Sequence, residues 1–167
     1  IVGLDDGSIV LTTRTLSLVR YGSDGTRAWS LRMPSLVDDA LAVVRDETIV
    51  CAATSRVLFV SLDGTIRAEH TLGAPVAIGP AVAPDGLVWV GSFVGELLAF
   101  DVDGHVRVRT SLGGRFIRAS AIAIAADGSL RIAAPSGELV AIEPDGTERF
   151  RVTAGTPVSS ALVVDAD

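Results

Sequence analysis

Residues 88–101 read Val-Trp-Val-Gly-Ser-Phe-Val-Gly-Glu-Leu-Leu-Ala-Phe-Asp, and the pair Asp103-Gly104 follows one residue later. Two short runs rich in Val, Leu and aromatic residues flank Val94-Gly95, and such runs are typical of β-strands. Gly and Asp favour tight turns because Gly adopts positive φ at no steric cost and Asp hydrogen-bonds to its own backbone. The stretch therefore predicts a β-hairpin that ends in a second tight turn.

The same pattern occurs four times along the 167 residues. The first turns are Asp6-Gly7, Asp46-Glu47, Asp85-Gly86 and Asp127-Gly128, and the second turns are Asp24-Gly25, Asp63-Gly64, Asp103-Gly104 and Asp145-Gly146. The distance from the last residue of the first turn to the last residue of the second turn is 18 residues in three repeats. It is 17 residues in the repeat that contains Glu47. A pattern that recurs at steps of 40, 39 and 42 residues indicates a repeat architecture.

Each repeat contains four apolar runs, and no window carries a helical period between helix caps. Four strands in about 40 residues are typical of a propeller blade. We therefore predict an all-β fold, a β-propeller of four-stranded antiparallel blades. The blades occupy about residues 1–32, 39–72, 79–112 and 119–152, and residues 159–167 begin a next blade.

The four predicted blades and the extra strand form a single propeller segment over residues 1–167, about half of a seven- or eight-bladed ring. We interpret the segment as a piece of a longer propeller chain. Two alternatives stay open at this point: two copies that close a ring by two-fold symmetry, and a compact four-bladed ring.

The repeat resembles that of the pyrroloquinoline-quinone-type propellers, also called quinoprotein-like propellers. The matching positions are Gly91-Ser92, Gly95, Ala99-Phe100-Asp101 and Gly104, and Trp29 stands four residues after Gly25, where that family carries a docking Trp. The equivalent positions in the other repeats are Ala68, Val108 and Phe150. The resemblance implies that Trp29 and Phe150 pack between blades and that Ala99 and Gly104 belong to the same docking motif. It also favours a periplasmic or extracellular location.

Composition excludes several classes of protein. Hydrophobic residues make up 49% of the chain, which is too many for a disordered protein. The net charge of −6 argues against nucleic acid as a partner, since nucleic acids bind basic surfaces. No apolar run reaches the 18 residues or more of a membrane span. The single cysteine, Cys51, excludes an internal disulfide framework and a multi-cysteine metal site.

Charge separates onto two ends of the predicted blades. Fourteen of the 20 acidic residues fall at or beside the Asp-Gly turns, all of which lie at one end. The opposite end carries arginines and aromatic residues, a composition found at binding hot spots. We therefore predict a partner-binding surface at that end, formed by Arg14, Arg56, Phe93, Arg115, Phe116 and Arg118.

No set of residues predicts catalysis, and we expect no metal and no cofactor. Asp101 and Asp103 resemble the start of a calcium loop, but the residues that follow lack its remaining acidic ligands. We predict a non-catalytic interaction, scaffold or sensor module with a protein partner, which could also associate with itself to complete a ring. The alternatives are a fragment of a quinone-dependent dehydrogenase and a carbohydrate-binding propeller.

Overall fold

The computed structural model of the chain describes residues 1–35, 41–45, 47–113, 121–134, 137–153 and 155. Sixteen strands in these residues form four separate sheets, each with four antiparallel strands in chain order. The predicted all-β fold of four-stranded antiparallel blades is confirmed. Across the described residues there is no helix that is long and apolar enough to span a bilayer.

The strand bounds follow the predicted repeat. Sheet 1 contains β1 (Val2–Gly3), β2 (Ile9–Thr13), β3 (Ser17–Tyr21) and β4 (Arg27–Arg32). Sheet 2 contains β5 (Leu41–Val44), β6 (Thr48–Ala53), β7 (Arg56–Ser61) and β8 (Ile66–Thr71). Sheet 3 contains β9 (Val76–Val82), β10 (Val88–Ser92), β11 (Glu96–Phe100) and β12 (Val106–Ser111). Sheet 4 contains β13 (Ala121–Ile124), β14 (Leu130–Ala133), β15 (Glu138–Ile142) and β16 (Glu148–Thr153).

Apolar residues alternate along the strands and fill three cores, one between each pair of successive sheets. In β6, Ile49 and Cys51 face sheet 1 whereas Val50 faces sheet 3. In β11, Leu98 faces sheet 2 and Leu97 faces sheet 4. Sheets 2 and 3 are therefore covered on both faces, and the side chains of β6 and β10 are buried throughout.

The first strands of successive sheets lie side by side: β1 contacts β5, β5 contacts β9 and β9 contacts β13. This is the order expected of blades that radiate from a common axis. Within the part of the chain that the structure describes, the four sheets do not close into a ring. The predicted extra strand at 159–167 lies outside the described residues.

One strand begins earlier than the sequence indicates. The third blade is predicted to begin at about residue 79, but its first strand, β9, starts at Val76 and pairs irregularly with β10 around Gly91. A proline lacks an N–H group and is tolerated at an irregularity of an edge strand. Pro80 therefore lies inside β9 and does not mark its beginning.

Candidate functional site

The joints between the sheets share one arrangement, which we call the docking row. A docking row consists of three residues paired side by side on the second, third and fourth strands of a sheet, on the face directed away from the preceding sheet. The four rows are Val10–Arg20–Trp29, Val50–Phe59–Ala68, Trp89–Ala99–Val108 and Arg131–Ala141–Phe150.

In the first joint, Trp29 packs on the second-turn glycine of sheet 2. A Cβ atom added at Gly64 would lie 2.9 Å from Cδ2 of Trp29, so only glycine fits beneath the indole ring. The indole Nε1 donates a hydrogen bond to the carbonyl oxygen of Leu62 at 2.7 Å. Nη1 of Arg20 donates to the same oxygen, also at 2.7 Å. The first joint thus combines an aromatic ring on a glycine with two donors to one turn carbonyl.

The second and third joints have the same close contact between a docking row and a turn glycine, but the fourth-strand side chains are smaller. A Cβ atom at Gly104 would lie 2.6 Å from the Cβ atom of Ala68 and 3.0 Å from Cδ2 of Phe59. A Cβ atom at Gly146 would lie 2.6 Å from Cγ1 of Val108. Every docking row in the described residues that has a following sheet therefore rests on the glycine of that sheet's second turn.

Each docking row contains one large aromatic residue, but on a different strand. The residue is Trp29 on β4, Phe59 on β7, Trp89 on β10 and Phe150 on β16. Where the fourth-strand residue is small, as at Ala68, an aromatic residue nearer the inner strand fills the space, so the volume of the row is maintained. The second and third blades lack a Trp on the fourth strand, and an aromatic residue on the third or second strand of the same docking row takes its place.

The fourth docking row has no following sheet among the described residues. Phe150 is 39% exposed and its neighbour Val152 on the same strand face is 49% exposed. The guanidinium carbon of Arg131 lies 5.7 Å from the centre of the Phe150 ring, within the range of a cation–π contact. The outer face of sheet 4 therefore carries an aromatic docking residue and an arginine donor in one row.

The outer face of sheet 1 carries the complementary half of a joint. An open groove of about 530 Å³ lies there, and we call it the sheet 1 groove; its lining includes Ile9, Leu11, Tyr21 and Gly25. Gly25 has a φ of 78°, close to the value of Gly64 at the first joint. A Cβ atom added at Gly25 would meet no described atom within 4 Å, in contrast to the three glycines inside the joints.

The structure places the predicted partner-binding residues in different surroundings. Arg14 is exposed in the β2–β3 turn, and Arg56 at the start of β7 forms an ion pair with Glu69 at 2.8 Å. Phe93 is half-buried and packs against the core between sheets 3 and 4. Arg14, Arg56 and Phe93 lie at the same end of three neighbouring sheets, as expected from the strand order. The loop residues Arg115, Phe116 and Arg118 lie outside the described residues.

Arg56 also lines a second surface groove, of about 450 Å³, between sheets 1 and 2. Arg32 from β4 and Glu69 from β8 line the same groove, so its charged groups have both signs. The ion pair between Arg56 and Glu69 already neutralises part of this charge.

At the opposite end, the aspartates of the turns hydrogen-bond to their own turns. The Asp127 carboxylate accepts hydrogen bonds from the hydroxyl and N–H groups of Ser129, and these bonds together with Arg149 lower its pKa to about 2. Hydrogen bonds from Thr26 likewise lower the pKa of Asp24, and bonds from Thr147 lower that of Asp145. The aspartates concentrated at this end of the sheets therefore have a structural role, because their carboxylates accept the hydrogen bonds that form the turns.

Asp101, Asp103 and His105 bring their potential metal-ligand atoms within 4.8 Å of one another. However, Nη2 of Arg107 lies 2.6 Å from the Asp101 carboxylate, and the backbone N–H groups of Asp103 and His105 donate to that carboxylate. Partial burial acts to raise the pKa of Asp101, but these hydrogen bonds outweigh it and the pKa is lowered. Arg107 thus already supplies a positive charge to this carboxylate.

Cys51 lies in the core between sheets 1 and 2 and is fully buried. Burial raises the pKa of its thiol to about 12. The thiolate form that reacts with electrophiles and metals is therefore scarce at neutral pH. Cys51 acts as a small apolar core residue.

The sequence predicts Trp29, Phe150, Ala99 and Gly104 as docking residues, but the sheet 1 groove around Gly25 was not predicted. Ala99 lies in the third docking row between Trp89 and Val108. The signal that could have identified the groove is the repeat itself, since Gly25 stands in the same turn position as the three joint glycines.

No family model matches the chain, and no curated protein matches it either. Several solved structures do. Sqt1 from Saccharomyces cerevisiae aligns with a TM-score of 0.76 and 14% identity, over 92% of this chain and 46% of that chain. A catalytically inactive virginiamycin B lyase from Staphylococcus aureus, with quinupristin, aligns with a TM-score of 0.72 and 14% identity, over 93% and 55%. A protein of unknown function from Bacteroides caccae has a TM-score of 0.65 and 16% identity, over 87% and 57%.

These similarities support a β-propeller fold, and at such low identity they establish the fold alone. The chain spans about half the length of the solved chains that it matches. The propeller part of the resemblance found in the sequence is therefore confirmed.

Proposed function

We propose that this chain is a non-catalytic β-propeller segment that binds protein, as an interaction or scaffold module or as part of a sensor. The segment comprises four blades, at about 1–32, 39–72, 79–112 and 119–152, with the next beginning at 159–167. We place it among the quinoprotein-like propellers and expect it in the periplasm or outside the cell, as the sequence resemblance implies.

The exposed docking row of sheet 4 is the observation that carries this proposal. The equivalent faces of sheets 1, 2 and 3 are covered by a following sheet, whereas Phe150 and Val152 are 39% and 49% exposed. Exposed apolar groups on a sheet face that otherwise forms an interface favour a protein-binding surface. An aromatic residue beside an arginine is also the composition of binding hot spots.

Photo-crosslinking in the source cells tests the proposal. A benzoylphenylalanine at position 150 or at position 9 replaces an exposed apolar residue on one of the two outer faces, whereas the same group at position 109 lies on the outer strand β12 among charged residues. We expect protein adducts from positions 150 and 9 and none from position 109. If neither face yields an adduct when the protein is produced at its natural level, the proposed function is wrong.

A further inference from the structure

We propose that the groove of about 450 Å³ between sheets 1 and 2 binds a peptide segment of a partner protein, in which a large apolar residue is followed by an acidic residue. We call this groove the 1–2 groove. It is lined by residues of two consecutive sheets and is separate from the exposed docking row of sheet 4. The inference therefore goes beyond the proposed function.

The first observation is the apolar lining of the 1–2 groove. Leu58 and Met33 are buried in this lining, and Leu16 is half-buried. Ile66, at the beginning of β8, lines the groove and is 40% exposed. The equivalent residue of sheet 3 is Val106, which packs against the core between sheets 2 and 3. The first joint thus leaves apolar surface open, and an apolar side chain of a partner can cover it.

The second observation is an unpaired positive charge in the groove. Arg32, the last residue of β4, is exposed and forms no ion pair with any residue that the structure describes. The equivalent positions of the other three sheets hold Thr71, Ser111 and Thr153. An arginine pairs with a carboxylate through charge-assisted hydrogen bonds. The groove therefore favours a partner that brings an acidic group.

The ion pair in the groove is reversed relative to the other sheets. The third strand begins with Arg56 in sheet 2, whereas it begins with Glu96 in sheet 3 and Glu138 in sheet 4. Each of these residues pairs with an opposite charge on the fourth strand of its sheet. The reversal places a second guanidinium group in the same groove as Arg32, and Glu69 neutralises only one of the two.

The third observation is the backbone of Leu16. This residue has a φ of 59°, and its carbonyl oxygen accepts a hydrogen bond from the Met33 N–H group at 2.8 Å. The equivalent residues of sheets 3 and 4 are Gly95 and Gly137. A positive φ is unfavourable for leucine but not for glycine, and such strain is concentrated at functional sites. A glycine would form this turn without strain, whereas the leucine adds an apolar side chain to the groove.

The shape of the groove favours a peptide as its occupant. Sites for small molecules usually enclose about 70–90% of the ligand surface, whereas the 1–2 groove is open to solvent. A peptide needs to place only one or two side chains in it. Terminal carboxylates are generally held by clusters of backbone N–H groups, but the donors here are guanidinium groups. We therefore assign the carboxylate to an Asp or Glu side chain within the peptide.

Selection from a library of displayed random peptides on the purified chain tests the proposal. The same library is counter-selected on the Arg32→Glu variant, which the fold should tolerate because Arg32 is exposed. We expect the peptides enriched on the wild-type chain alone to contain Leu, Ile, Phe or Met followed closely by Asp or Glu. Enriched peptides without an acidic residue, or equal recovery on the two chains, overturn the proposal.

A selected peptide labelled with fluorescein then gives dissociation constants by fluorescence anisotropy. Arg32→Glu should raise the dissociation constant at least about tenfold, as expected for loss of a central interface residue. Arg27→Glu is the matched control, because Arg27 is exposed at the other end of β4 and does not line the groove. It should leave the dissociation constant unchanged. Equal effects of the two variants would show that only the total charge matters and would overturn the proposal.

Leu16→Gly tests the apolar part of the groove separately. Because glycine adopts positive φ freely, the variant should keep the circular dichroism spectrum of the wild-type chain. We expect its dissociation constant for the same peptide to rise at least about tenfold. A folded Leu16→Gly chain that binds as tightly as wild type contradicts the role of this leucine.

A charge swap identifies the contact of Arg32. A peptide in which lysine replaces the acidic residue should bind the Arg32→Glu chain more tightly than the wild-type chain. If the swap restores no binding, Arg32 does not contact the carboxylate and the proposal is overturned. The crosslinks from position 150 do not involve the 1–2 groove, so failure of the peptide experiments leaves the proposed function in place.

Discussion

Single residues in the Asp-Gly turns serve two purposes at once. The aspartate accepts hydrogen bonds from its own turn, as Asp63 does from the N–H group of Thr65 at 2.9 Å. The glycine supplies the positive φ that the turn needs, and in three sheets it also leaves room for a residue of the preceding sheet. A local signal for a turn is therefore also a signal for the contact between sheets.

The pKa of Asp127 predicts how stability depends on pH. Its folded pKa of about 2 lies below the usual aspartate value of 3.8, so the charged form stabilises the folded state above pH 4. This contribution is lost as the pH falls from about 4 to 2. We expect Asp127→Asn to lower the urea midpoint at pH 7 and the difference from wild type to be much smaller at pH 2, where about half of the carboxylate is protonated in the folded state.

Urea denaturation followed by circular dichroism at the two pH values gives the comparison. Asp5→Asn is the control, because Asp5 is exposed next to the equivalent turn of sheet 1. A difference between Asp127→Asn and wild type that persists unchanged at pH 2 would contradict the assigned role of the carboxylate.

At the scale of strands and sheets, the docking row is the unit that packs. The sequence resemblance predicts an aromatic residue at one fixed position, four residues after each second-turn glycine. The structure shows that the aromatic residue can instead stand on the second or third strand, as Trp89 and Phe59 do. This could not be predicted from spacing along the chain, because neighbours in a row are brought together only by the strand register.

The joint glycines predict a large difference between two similar substitutions. Ala at Gly104 or at Gly25 adopts an unfavourable positive φ in both cases, but only at Gly104 does the new Cβ atom meet another side chain, 2.6 Å away. Overpacking of this kind costs about 1–3 kcal/mol. We expect Gly104→Ala to lower the free energy of unfolding by that much more than Gly25→Ala does.

Urea unfolding measures this difference. Combining Gly104→Ala with Ala68→Gly removes the opposing Cβ atom and should recover part of the lost stability. Equal losses for Gly104→Ala and Gly25→Ala would show that the close approach between sheets 2 and 3 contributes nothing.

At the scale of the molecule, the sequence predicted the architecture more completely than the binding surface. The Asp-Gly repeat reports local turn geometry, so it fixes the number of strands and the ends at which the turns lie. Phe93 is predicted to bind a partner, and the structure adds that it is half-buried against the core between sheets 3 and 4, a contact that spacing along the chain does not reveal. In the same way, the exposure of a sheet face depends on whether another sheet packs against it, which the spacing of residues along the chain does not report.

The unequal covering of the sheets predicts unequal hydrogen exchange. Strands β2 and β6 are both second strands with a hydrogen-bonded neighbour on each side, but β6 is buried throughout whereas β2 is only partly buried. Exchange is slowest where opening exposes the most apolar surface. We expect the amides of β6 and β10 to exchange more slowly than those of β2, as measured by mass spectrometry of peptic fragments. Uniform protection of all three strands would indicate that the sheets open together.

The shift of the aromatic residue from strand to strand has a consequence for folding. Tandem repeats of similar sequence risk misassembly, in which a newly formed unit docks against the wrong neighbour and the chain becomes kinetically trapped. Because Trp29, Phe59 and Trp89 lie on different strands, each interface has its own shape, and an incorrect order would leave voids or collisions. Variation among the copies therefore helps a repetitive polypeptide to reach a single native arrangement.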